Sequence, residues 1–138
     1  MLITGAFLAA HAEIVDQKLN VTGGVLDWIA VPRIGQQDAH GNPLVGICYL
    51  VTLMQSSPDD HEKPYRMITE VIEVDGSSHV LVDATIAVDA HSGENRFWVT
   101  PFGMARETSG RRVLVQTIEG GGSIRLPVEV RVVEPRPE

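Results

Sequence analysis

The run Asp59-Asp60-His61-Glu62 sets three carboxylates beside an imidazole, a donor set that hard and borderline cations accept. A second group is Asp89, at the end of a predicted strand, with His91 and Glu94 in the predicted loop 90–95 that follows it. A metal-binding or metal-assisted hydrolytic centre built from Asp59, His61, His91 and Glu94 requires these loops to meet at one end of the fold. Alone, the first run lacks the spacing and central glycine of a calcium loop and reads as a solvated charged stretch. His11 and Glu13, two apart, can share one face of a strand, but zinc takes three or four ligands.

Nucleophilic chemistry finds less support. Cys48, the single cysteine, sits in the apolar run from Leu44 to Met54, where a buried thiol acts as a small hydrophobe. No serine stands in a Gly-x-Ser-x-Gly elbow, and Ser78-His79 adjacency on a strand points the two side chains to opposite faces. Gly120-Gly121-Gly122 is followed by neither Lys-Ser/Thr nor a helix, so it is no phosphate loop. Arg106, Arg111 and Arg112 surround a glycine turn; they could receive an anion, and they read as solvated arginines. Trp28 and Trp98 read as core anchors. No catalytic residue and no cofactor are assigned.

The elements that would position these groups are strands. From His79 to Asp89, Val80, Val82, Ala84, Ile86 and Val88 alternate with largely polar neighbours; from Arg125 to Val133, Leu126, Val128, Val130 and Val132 do the same. Period-two alternation gives one dry face and one wet face. Further strands are predicted over 2–9, 12–15, 18–21, 25–31, 44–54, 65–74, 96–102 and 111–119 from their β-branched and aromatic content. The run 44–54 is apolar on both faces, as a central strand requires. Pro127 lacks a ladder donor, so its strand is expected at an edge or interrupted there. Asp75-Gly76 and Gly120–Gly122 supply hairpin turns, and a two-residue loop at Asp16-Gln17 pairs Ile14 with Leu19 and Ala12 with Val21. No stretch keeps helical periodicity over three turns. The fold class is therefore all-β: a two-sheet antiparallel sandwich, immunoglobulin-like or a related Greek key, of roughly eight or nine strands. One domain over 1–134 and a frayed tail at 135–138 account for the chain.

Composition limits the partners. The chain has 138 residues, with 18 acidic against 11 basic and a net charge of −7. That field repels phosphate backbones and anionic lipid, so nucleic-acid and membrane partners are not expected. The apolar start, Met1 to Ala12, ends in Ala10-His11-Ala12 like a signal-peptidase site but lacks a basic leading segment, and is read as the first strand. A lone cysteine fits a reducing, cytoplasmic setting.

Residues Ala12, Glu13, Lys18, Leu19, Gly23, Gly24, Asp27 and Trp28, with Gly110-Arg111-Arg112 and the close through Leu126-Pro127, carry a resemblance. Both ends of the chain resemble a family of small, largely actinobacterial proteins of unknown function. The resemblance implies a β-sandwich and brings no activity, so no site residue is carried over.

The reading that follows is a non-enzymatic binding or assembly module whose partner is itself or another protein. Leu2, Ile3, Phe7 and Leu8, on an uncharged first strand, are the expected interface, because an uncharged sheet edge invites pairing. The alternatives are the loop metal centre and a structural role in a phage particle or another large assembly, the latter by fold analogy.

Overall fold

A computed structural model describes residues 1–134; the tail expected to fray, 135–138, lies outside the described residues. Among the described residues nine strands form two sheets: β1 (Leu2–Val15), β2 (Lys18–Gly24), β3 (Trp28–Pro32), β4 (Gly46–Gln55), β5 (Tyr65–Ile72), β6 (Ser78–Ile86), β7 (Asn95–Met104), β8 (Gly110–Ile118) and β9 (Gly122–Val133). One sheet has the order β2-β1-β4-β7 and the other β3-β9-β8-β5-β6. The chain changes sheet at β2–β3, β3–β4, β4–β5, β6–β7 and β7–β8. All pairs are antiparallel except β3 with β9, which run parallel. Among the described residues no helix is long and apolar enough to cross a membrane.

Local chemistry explains much of this. Asp16 and Gln17 both take positive φ, 50° and 64°, closing a two-residue turn that pairs Ile14 with Leu19 and Ala12 with Val21. Gly76, at φ 88°, closes the β5–β6 hairpin, where Glu73 N–H donates to Ser77 O at 2.7 Å. The 44–54 run forms β4, and that strand is central, between β1 and β7. Pro127 pairs with Val113 of β8. Two residues on, Glu129 N–H donates to Asp27 O on the β3 side. Residues of the same parity face the same way, so the donor missing at Pro127 is aimed past the start of β3, where the ladder ends.

The core lies between the sheets. Its larger part joins Leu8, Leu50, Val71, Leu114, Val128 and Val130; a second cluster joins Met54, Met67, Ile86, Val88 and Ile118. Burying such side chains stabilises by about 1.5–3 kcal/mol each.

Three expectations need correction. β1 pairs with β4 over Leu2–Ala9 and with β2 over Ala9–Val15, and along its first half Ile3 N–H donates to Gly121 O while Leu8 O accepts from Leu26 N–H, so the expected open edge is partly covered; Leu8 is wholly buried, and Ile3 packs against the second cluster. Of the expected interface residues, Leu2 is exposed and Phe7 is half-buried. In β6 the alternation breaks, because a bulge sets Thr69 opposite Val82 and Glu70 opposite Val80, leaving Leu81 as the extra residue. One inserted residue reverses the faces before it, so Val80 is 58% exposed while Leu81 and Val82 both pack on the core. Trp28 is no core anchor either, since 47% of it is exposed; Trp98 does pack against the second cluster.

Candidate functional site

The loop after β4 and the loop before β7 meet, as the metal reading required. A parallel bridge joins His61 to Val88, Glu62 N–H donates to Val88 O at 2.9 Å, and Ser56 N–H donates to Glu94 O at 2.8 Å. These backbone bonds hold His61 against the 89–91 turn. Its Nδ1 accepts the Ala90 N–H at 3.2 Å and lies 3.3 Å from Asp89 Oδ1. The His91 ring stacks on the His61 ring, centroids 3.5 Å apart and planes within 13°. His61, Asp89 and His91 thus offer ligand atoms all within 4.8 Å of one another.

The other expected members stay apart. Asp59 is exposed on a short 3-10 turn, Pro58–Asp60, and Glu94 takes part through its backbone carbonyl. Asp89, which sequence grouped with His91, is the carboxylate that joins. The Ser92 hydroxyl foremost, then the His91 and Ser92 N–H groups, hold the Asp89 carboxyl below the ordinary carboxylate range. Asp89 also borders a recess of about 290 Å³ shared with Ile14 and Gln17 of the first hairpin and with Phe97 and Val99 of β7. His11 and Glu13 do face each other at 3.9 Å, both exposed, with the His11 ring edge-on to Tyr49.

Beside this cluster Asp60 is buried, accepting from the Tyr65 hydroxyl, from the Met1 amino group at 2.9 Å and from Ser57 N–H at 2.8 Å. Tyr65 foremost, then Met1 and Ser57, hold its carboxyl far below the ordinary range. A folded-state pKa depressed below the unfolded value of about 3.9 gives stability that is complete above that value and lost as pH falls toward the folded one. Thermal unfolding of Asp60→Asn is therefore expected to show a lower Tm than wild type at neutral pH, with the two curves converging below about pH 4. Curves that stay parallel down to acid pH would contradict the assignment.

At the other end of the molecule lies a polar network that sequence misread. Arg112 is 3% exposed and Arg106 is also sheltered; both donate through Nε to Glu73 Oε1, at 3.1 and 3.0 Å. These two are not solvated arginines, whereas Arg111 is exposed. They line, with His79 and Thr108, a broad pocket of about 660 Å³. Asp75, Glu73 and Glu107 line it too, so carboxylates match the cationic groups and the pocket does not select anions.

The sandwich also opens between β3 and β4. A cleft of about 290 Å³ there is lined by Leu26, Trp28, Ile29, Val31, Gly46 and Ile47 among others, none of them charged. Cys48 forms part of its floor, and burial pushes that thiol up to about 12, out of nucleophilic range at neutral pH. Gly46 is required here: a Cβ on it would fall 2.8 Å from Ala30 O. The rim stays apolar, with Ile47 57% exposed and Val45 beside it across Gly103. Arg131 stacks on Trp28 at 4.2 Å and pairs with Glu129 at 3.1 Å, so that guanidinium is already matched.

No protein-family model and no curated protein matches the chain. Over 92% of its length the chain superposes on the Pseudomonas fluorescens alkylpurine DNA glycosylase AlkC, solved bound to DNA containing an abasic site analog, with a TM-score of 0.45 and 10% identity. The match spans 30% of that protein, and at this level of similarity nothing of its chemistry transfers.

Proposed function

We propose that this chain is a non-enzymatic assembly module that pairs with a second copy of itself through the uncharged cleft between β3 and β4. The carrying observation is that cleft and its rim: Trp28, Val45 and Ile47 stand exposed around a concavity without a charged side chain. Exposed apolar residues clustered about a pocket mark interaction surfaces, whereas single ones need no explanation. Charge favours a second copy as the occupant. Two chains of −7 repel wherever their acidic surfaces meet, and a two-fold interface sets the same patch against itself. The uncharged lining of the cleft avoids that repulsion. A stable interface buries about 800 Å² on each partner, and Val25 and Leu44, exposed and next in sequence to Leu26 and Val45, extend the apolar set toward that size.

The interface thus moves from the first strand to the β3–β4 opening. The setting is a reducing compartment such as the cytoplasm, in keeping with the buried free thiol. Kinship with the small bacterial family read from both chain ends belongs to this proposal and adds no activity to it.

Sedimentation velocity over a concentration series tests the pairing. A dimer is expected at micromolar concentrations for the native chain, and a monomer with unchanged circular dichroism for Ile47→Lys. A native chain that sediments as a monomer throughout overturns the reading, as does an Ile47→Lys variant that dimerises as well as the native protein.

A further inference from the structure

We propose that His61, Asp89 and His91 form a binding site for one divalent transition metal ion of the zinc class, pinning the loop after β4 to the loop before β7. The site lies at the Gln55 end of β4, and the assembly cleft lies at the Gly46 end, so the two proposals stand or fall separately.

The central observation is the pair of atoms His61 Nδ1 and Asp89 Oδ1. Nδ1 accepts the Ala90 N–H, so in this arrangement it carries a lone pair rather than a proton. The Asp89 oxygen 3.3 Å away, Oδ1, is also an acceptor, taking hydrogen bonds from the His91 and Ser92 N–H groups. Two lone-pair-bearing atoms at that distance make a site that a shared cation stabilises. Their separation suits a shared ion: zinc sits about 2.0–2.2 Å from imidazole nitrogen and carboxylate oxygen, and tetrahedral ligands at that radius are about 3.3–3.5 Å apart.

His91 supplies the third donor. Stacked parallel on His61, its ring has its lone pairs in a neighbouring plane, so binding tips the ring out of the stack toward the ion. His91 is exposed, so rotation about its side-chain bonds sweeps largely through solvent. The His61–Val88 bridge, through the Glu62 N–H donated to Val88 O, keeps the remaining ligands in place during that turn.

Two imidazoles and one carboxylate select zinc, nickel, copper or cobalt over calcium and magnesium, which take all-oxygen sets. Three protein ligands leave a fourth position for water. The ion takes the place of the Ala90 N–H in front of Nδ1. The site pins loops; no reaction is assigned to it.

Zinc titrated by calorimetry into chelator-treated full-length protein tests this. One ion per chain is expected, with a rise in Tm on binding. His91→Ala, which removes an exposed side chain and leaves the fold intact, and Asp89→Asn are each expected to weaken binding at least about tenfold, the scale on which even outer-shell partners act. His11→Ala and His79→Ala are expected to leave it unchanged. Cobalt as a second probe should give the visible absorption of a tetrahedral nitrogen–oxygen site and lose it in His91→Ala. Absence of saturable binding in the micromolar range overturns the proposal. Binding that survives the His61→Ala/His91→Ala double substitution also overturns it, because the ion would then sit elsewhere.

Discussion

Replacing Glu73 with alanine is expected to lower the free energy of unfolding by about 3–5 kcal/mol, the cost of leaving a buried ion uncompensated. Glu73 Oε1 is shared by Arg106 and Arg112, and Arg112 is nearly inaccessible to water. Without the carboxylate two guanidinium groups remain together, one of them in the interior. For a domain of this size the loss corresponds to a fall in Tm of about 10–20 °C by circular dichroism. The double variant Glu73→Leu/Arg112→Met removes the buried charge along with its partner and should recover most of that loss, since desolvating a buried pair costs nearly what its attraction returns. Arg111→Ala, on an exposed neighbour of Arg112, should stay within about 0.5 kcal/mol of the native protein. If Glu73→Ala unfolds at the native temperature, the network is not the buried one described.

The second large effect is expected at Gln116. This side chain bridges the two sheets through the middle of the core: Thr52 of β4 donates its hydroxyl to Gln116 Oε1, and Gln116 Nε2 donates to the Thr69 hydroxyl of β5 at 3.2 Å. Both threonines are fully buried. Gln116→Leu keeps the volume roughly constant and orphans both hydroxyls, at about 1–3 kcal/mol each. A loss of about 2–6 kcal/mol is therefore expected, read as a lower urea midpoint at unchanged slope. Replacing the whole network, as Thr52→Val/Thr69→Val/Gln116→Leu, should restore most of it, because no buried polar atom is then left without a partner. A triple variant no more stable than the single one would place the cost in packing instead.

Much of the fold was legible because its signals are short in range. Asp75-Gly76 closes its turn by glycine's own backbone preference; at Asp16-Gln17, where Gln17 is a poor residue for positive φ, the register of the first hairpin follows from the turn length. Val128 and Val130 face the core because alternation along an unbroken strand admits one phase. Val80 shows where that logic stops: a bulge opposite β5 inserts one residue, and nothing in the residues 78–82 themselves marks it. The Trp28 side chain is exposed for a similar reason. β3 is an edge strand, and its outward face has no layer over it.

For the candidate site, the sequence by itself determined the residue types, a loop placement for His61 and His91, and the chemistry they can share. Only the tertiary structure decided that these loops touch, that Asp89 rather than Asp59 or Glu94 joins them, and that Arg112 is buried on Glu73. The physical reason is separation along the chain. A strand's phase and a turn's type are fixed by neighbours a few residues apart. A contact across 29 residues, such as Ala90 with His61, depends on which strands lie side by side, and that order is set by burial summed over the whole sandwich.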